Sequence, residues 1–248
     1  MTGRGARPLR LGHIVYSNCY PVHARLLETP PPWLEIVAGT PAELNAGLAE
    51  GRVDVAPASS IEFARHPDRY RILPGLSISS RGPVRTIAFA AARPWTELDG
   101  ATVALPTASA TSVWLLRILL EERVGVRPTY VWFRQESEDP RALGADAALF
   151  IGDLALAARR AGWPHLYDLG AEWDRWTGLP FVFALWQTPL GDDRADELEA
   201  LRRALLDARA WAFAQLESLA RRAAPRFGWA PEELAAYWRS LDYGLDPD

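Results

Sequence analysis

The chain has 248 residues, 49% hydrophobic and 23% charged, with a net charge of −4 at neutral pH, enough for one large domain or two lobes. All 27 cationic side chains are arginine, and no arginine run is interleaved with aromatics, so the sequence predicts no nucleic-acid partner. A single cysteine, Cys19, excludes an internal disulfide framework, and no stretch reaches transmembrane length, which predicts a cytoplasmic protein without membrane association.

Residues 1–7 read as a loose tail. Leu9–Tyr16 alternates and predicts a first strand, too short and polar for a signal-peptide core. Ser17–Pro21 breaks it, and Val22–Leu27 predicts a short helix. Trp33–Val37 is a second strand. Thr40-Pro41-Ala42-Glu43 is a capping box with proline at the first helical position, opening a helix over Ala42–Glu50. Val53–Ala56 is a third strand, and Ser59-Ser60-Ile61-Glu62 is a second capping box. Tyr70–Leu73 and Leu76–Ser79 predict two short strands, followed by a turn at Ser79–Pro83. Val84–Ala92 predicts a long strand.

The pattern then begins again. Ala101–Leu105 is a buried strand, followed by four hydroxyls, Thr107, Ser109, Thr111 and Ser112, and a helix over Val113–Leu120. Thr129–Phe133 is a strand, Asp139–Leu143 a short helix and Ala147–Ile151 a buried strand. Gly152-Asp153 opens a helix from Leu154. Leu166–Leu169 and Phe181–Trp186 are strands. Arg194 to about Ala224 reads as one long amphipathic helix, and Pro231-Glu232-Glu233 starts a last one.

Strand and helix alternate twice, which predicts two α/β lobes. Residues 8–84 and 187–248 form the first, residues 85–186 the second, with Val84–Ala92 and Phe181–Trp186 as crossing strands. Ligands of open α/β sheets gather beyond the carboxyl ends of the strands. Those ends carry Tyr16–Asn18, Ala58–Ser60, Thr107–Ser112 and Gly152–Asp153, all facing one cleft. A helix start has unpaired N–H groups and partial positive charge, so hydroxyls there seat a carboxylate or phosphate, or else merely cap the helix. The candidate binding residues are Ser59, Ser60, Ser80, Thr107, Ser109, Thr111, Ser112 and Asp153, the last also readable as an N-cap. Asn18 either folds its turn or points its amide at a ligand. His13, His23, His66 and His165 are scattered, with no metal-ligand spacing, so no metal or other cofactor is expected.

These residues fall into blocks that resemble the chorismate dehydratase family of the futalosine route to menaquinone. The blocks are Gly12-His13-Ile14 with Asn18, Thr40-Pro41, Gly82-Pro83-Val84, Thr107–Ser112, Ile151–Leu156, Asp168-Leu169-Gly170 and Trp176–Trp186. They span nearly the whole chain in order. The resemblance implies an α/β, two-lobed, type II periplasmic-binding-protein-like fold with its cleft between the lobes. It implies chorismate as the small-molecule substrate, dehydrated to 3-[(1-carboxyvinyl)oxy]benzoate without a cofactor by a monomer or homodimer. It puts the family's functional asparagine on Asn18 and a functional serine on Thr86, which keeps the hydroxyl and adds a methyl. The alternatives are the sister 1,4-dihydroxy-6-naphthoate synthase, a non-catalytic small-anion-binding protein of the same fold, and a ligand-sensing domain.

Overall fold

The computed structural model describes residues 7–245. In the amino-terminal part, β1 (Leu9–Ile14) pairs in parallel with β2 (Leu34–Gly39), with α1 (Tyr20–Glu28) between them and α2 (Pro41–Ala49) after. The Thr40 box closes as the sequence predicts: Glu43 N–H donates to Thr40 Oγ1, and Thr40 N–H donates to Glu43 Oε2. β3 (Ala56–Ser59) begins later than predicted, because Val55 forms only an isolated bridge to Leu11. α3 (Ser60–Arg65) follows it.

The two strands predicted over 70–79 are one, β4 (Tyr70–Ser80), with the Pro74-Gly75 segment bulged out and Gly75 at φ +83°. Opposite it, Leu185 faces Ser77 and Gln187 faces Ile72 across the bulge. β10 (Phe181–Pro189) lies between β3 and β4 and is antiparallel to both. Residues 181–186, expected in the second lobe, are thus built into the first lobe's sheet.

The second lobe holds a five-stranded sheet, in which Thr129–Phe133, Thr102–Pro106, Ala147–Ile151, Ile87–Ala91 and His165–Asp168 lie side by side in that order. Its strands are β5 (Ile87–Ala91), β6 (Thr102–Pro106), β7 (Thr129–Phe133), β8 (Ala147–Ile151) and β9 (His165–Asp168). α4 (Thr111–Ile118) runs on through π-helical turns at Leu119–Val124. α5 (Leu154–Arg160) and α6 (Leu169–Thr177) complete this lobe. The sequence reading missed α6, whose N-cap is Asp168, accepting from Ala171 N–H. Asp139–Leu143 forms consecutive turns rather than a helix.

β5 starts three residues later than the predicted strand. Arg85 has φ +63°, and Thr86 N–H donates back to Val84 O at 2.7 Å, so residues 84–86 make a tight turn that no ladder can include. The Asp168 carboxylate grips this turn, accepting from Val84 N–H and Arg85 N–H at 2.9 and 2.7 Å. The chain therefore crosses between the lobes at residues 81–86 and 178–180, not along two long strands.

The long C-terminal helix is two, α7 (Ala195–Ala214) and α8 (Leu216–Phe227), broken at Gln215 (φ −136°). Its apolar stripe runs on without a glycine or proline at the break, so tertiary packing decides: α7 lies against α1, and α8 against α9 (Pro231–Ser240). At the amino end Arg7, read as part of a loose tail, is fixed by two hydrogen bonds to Asp54; residues 1–6 lie outside the described residues. Burial opposes ionisation of Asp54, but hydrogen bonds from Arg7, Arg10 and Arg194 hold its carboxyl far below the usual range. No helix among the described residues is long and apolar enough to cross a membrane.

Candidate active site

Where the lobes meet they leave a narrow, partly open cavity of about 50 Å³. Ile14, Tyr16, Asn18, Pro41, Ser59, Phe183 and Ala184 line it from the first lobe. Thr86, Ile87, Ser109, Thr111, Ser112, Ile151 and Gly152 line it from the crossover and the second lobe. The polar part of this wall is hydroxyls and one amide, with the start of α4 behind Ser109–Ser112. No carboxylate, imidazole or guanidinium lines it among the described residues.

Six of the ten residues read from sequence come together here: Asn18, Ser59, Thr86, Ser109, Thr111 and Ser112. The Asn18 carbonyl oxygen is buried without a hydrogen-bond partner. Ser59 makes no capping bond for α3, so the second capping box does not form. Instead Asn45 donates from Nδ2 to Ser59 Oγ and accepts from Ser59 N–H, each at 3.0 Å. An amide N–H only donates, so the Ser59 hydrogen stays free to point elsewhere. Ser109 is not a cap either: Ala110 holds that position, without a side-chain cap.

The other four lie apart from the cavity wall. Thr107 is exposed at the end of β6. Ser80 donates to Gly82 O beneath Gly170, where a Cβ on residue 170 would stand 2.6 Å from that oxygen. Ser60 donates to Val182 O at 2.7 Å, so its 3.4 Å contact with Thr111 uses the threonine's hydrogen. Asp153 occupies the N-cap position of α5 without capping it.

The Asp153 carboxylate instead reaches across the cleft. It accepts from Ser17 N–H at 2.9 Å, from the Ser17 hydroxyl, and from Trp229 Nε1–H at 2.8 Å. Tyr16 packs face-on against Gly152, where any Cβ would come within 2.7 Å of the ring, and Gln135 Nε2–H donates to its hydroxyl. Ala42 N–H donates to Ala108 O, and Ile61 N–H to Thr111 Oγ1. These bonds clasp the lobes shut over a space with room for about one or two waters, so a ring-sized ligand enters only when the clasp opens. Asp153→Asn weakens the clasp. The unliganded variant should show a larger radius of gyration by small-angle scattering and bind ligand about tenfold to a hundredfold more weakly. A scattering profile identical to the parent's, with unchanged affinity, refutes the clasp.

Behind the cavity the fold gathers three residues that the sequence scatters. His13 Nδ1 lies 3.0 Å from His23 Nδ1, and Cys19 Sγ lies 3.7 Å from the same nitrogen, all three buried. Trp186 Nε1–H donates to His23 Nε2 at 3.2 Å. An indole N–H only donates, so His23 carries its proton on Nδ1 and gives it to His13 Nδ1. The two facing nitrogens are thus spent on each other, and His23 presents an N–H, not a lone pair, toward the shared space. Burial pushes the Cys19 thiol up to about 12, so it stays protonated. The trio is a neutral hydrogen-bonded support for the turn at Ser17–Cys19.

Two α/β lobes meeting over a hydroxyl-walled cavity define a two-lobed protein of the periplasmic-binding-protein fold. A solved Archaeoglobus fulgidus protein superposes with a TM-score of 0.77 at 19% identity, over 98% of this chain and 90% of its own. The aliphatic sulphonate binding protein SsuA of Escherichia coli superposes at 0.66 and 16% identity, over 98% of this chain and 82% of its own. The chain belongs to the menaquinone biosynthesis family, whose model matches residues 9–248. Among its relatives, the chorismate dehydratase of Thermus thermophilus is 34% identical over 260 residues, covering 98% of this chain and 92% of its own. The 1,4-dihydroxy-6-naphthoate synthase of the same organism is 32% identical over 189 residues, 75% of this chain and 64% of its own.

Proposed function

We propose that this protein is a chorismate dehydratase, converting chorismate to 3-[(1-carboxyvinyl)oxy]benzoate and water. The observation that carries this reading is the cavity wall itself: hydroxyls, one amide and a helix start, with no strong protein base, in a chain whose full-length relative bears that name.

The reaction removes the C3 proton and the C4 hydroxyl of chorismate, leaving an aromatic ring. An anion formed at C3 delocalises into the ring carboxylate, so charge grows on those oxygens as the proton leaves. In this reading the N–H groups at the start of α4, with Ser109 and Ser112, hold that carboxylate, where preorganised donors stabilise developing charge. Asn18 both donates and accepts, and Thr86 supplies a hydroxyl from the opposite wall. Among the described residues Tyr16 is the one titratable side chain in the lining, and burial and the nearby Glu136 push its phenol well above its ordinary range, which disfavours it as a base. The enolpyruvyl carboxylate of the substrate lies near C3 and takes the proton; the C3–H electron pair becomes the new ring double bond as the C4–O bond breaks, and the proton passes to the departing hydroxyl, which leaves as water. Ser59, with its hydrogen left free by Asn45, faces the same space. Ser60 and Thr111 act through lobe closure in this reading.

The test is product analysis of chorismate incubated with purified protein after exhaustive chelation. The expected result is stoichiometric 3-[(1-carboxyvinyl)oxy]benzoate. Chorismate recovered unchanged, by a protein that binds it, leaves a binding protein. Activity lost to the chelator and restored by a metal ion overturns the cofactor-free reaction.

A further inference from the structure

The Thr86 hydroxyl has a partner from the far end of the chain. Tyr237, on α9, places its phenol oxygen 2.7 Å from Thr86 Oγ1 across 151 residues of sequence. Tyr237 is fully buried, and its ring stacks on Trp229 with centroids 4.9 Å apart. Trp229 is in turn tied to Asp153. Thr86 sits directly after the left-handed Arg85, in the turn that Asp168 grips, so its backbone cannot swing to find another geometry.

A threonine hydroxyl has one hydrogen to give. It has three directions here: toward Tyr237, toward Val84 O at 3.4 Å, or into the cavity. The first two waste it. Thr86 is the side-chain partner of the Tyr237 phenol among the described residues, and a phenol is a stronger donor than an alcohol. If the phenol donates, its buried hydrogen has an acceptor and the Thr86 oxygen a donor, and the Thr86 hydrogen is left for the cavity. Asn45 does the same for Ser59 on the facing wall, where the direction is fixed because an amide N–H only donates. Donors in series polarise one another, so a Thr86 hydroxyl that accepts from Tyr237 gives a stronger bond to an anion.

We propose that Tyr237 is a positioning residue of the active site: its phenol O–H donates to Thr86 Oγ1 and so aims the Thr86 hydrogen into the cleft. The inference rests on the dehydratase reading above. It makes the last helix of the chain part of the apparatus that sets the threonine's hydrogen, and it assigns that task to a residue that never touches substrate.

The test is a double-mutant cycle of Tyr237→Phe and Thr86→Val, read as kcat and KM for chorismate. Phenylalanine keeps the stack on Trp229 and removes only the O–H. Tyr237→Phe should lower kcat about tenfold with KM changed less than twofold, and should have no further effect on kcat in the Thr86→Val background. Thr86→Ser, which keeps the hydroxyl, should lose kcat on Tyr237→Phe by the same factor as the parent does, and Thr86→Val should not. In the parent, the buried Tyr237 hydroxyl proton should be observable by NMR and should shift on Thr86→Val. A merely structural Tyr237 lowers the melting temperature equally in both backgrounds and leaves kcat alone. That outcome, or additive losses in kcat, overturns the proposal while leaving the dehydratase reading intact. A parent protein that does not consume chorismate refutes the dehydratase reading, and this inference with it.

Discussion

Asn18→Ala should lower kcat/KM for chorismate by about two to three orders of magnitude and leave the thermal midpoint within a few degrees of the parent. The turn at Ser17–Cys19 does not depend on the Asn18 side chain. Asp153 holds Ser17 N–H, Trp238 Nε1–H donates to Ser17 O at 2.8 Å, and Cys19 is packed against His23. The Asn18 carbonyl oxygen is buried with no partner, and such a group costs about 1–3 kcal/mol. Removing it relieves that cost, so a loss of activity in the alanine variant belongs to the site and not to the fold. Steady-state kinetics beside a melting curve decides the matter. A stable, fully active Asn18→Ala protein takes Asn18 out of the site.

The two-lobed plan was legible because its signals are local. Thr40–Glu43 carries its own capping box, β6 and β8 are short apolar runs, and strand ends bring hydroxyls to one edge by topology alone. That rule brings Asn18, Ser59, Ser109 and Ser112 to one place, and all four line the cavity. What was not legible depends on partners far away in sequence. Asp153 reads as an N-cap until Ser17 and Trp229 arrive from the other lobe. Ser59 reads as an N-cap until Asn45 takes its oxygen. Nothing in α9 marks Tyr237 as a partner of Thr86, and nothing at Gln215 marks a helix break. Thr86 was predicted inside a strand because Val84–Ala92 is uniformly β-prone. The Asp168 carboxylate outbids that propensity by satisfying two backbone N–H groups at once, which a ladder at Val84 and Arg85 would have to forgo. The separation of His13 and His23 matches no ligand pattern, yet α1 folds back on β1 and brings their ring centroids to 5.1 Å.

Acidification should weaken the fold between about pH 6.5 and pH 4, through this histidine pair. Burial, and then the nearby Arg226, push His13 down to about 4 from its ordinary 6.5; burial, and then His13, push His23 down as well. The unfolded chain takes up these protons near pH 6.5, whereas the folded chain resists them until the pH is far lower. The stabilisation is therefore complete above pH 6.5 and is lost as pH falls through the folded value. For His13 alone the loss is on the order of 3 kcal/mol, a large share of the stability of an ordinary domain. The carboxyls held below their ordinary values, Asp54, Asp192 and the partly exposed Glu199, weaken the fold only near and below those values, 3.8 for the aspartates and 4.5 for the glutamate, so the interval above about pH 4.5 belongs mainly to the histidines. The measurement is the urea midpoint at about pH 7.5, 5.5 and 4.5 for the parent and for His13→Gln, which keeps an acceptor for His23 Nδ1–H and removes the titrating ring. The parent midpoint should fall steadily across the series and the variant's should fall much less, even if it starts lower. A parent midpoint that stays level from pH 7.5 to 4.5 shows that the pair takes up protons without cost. Because the pair supports the turn that carries Asn18, turnover in the parent should be lost along the same curve as the fold, and not at a separate, higher pH.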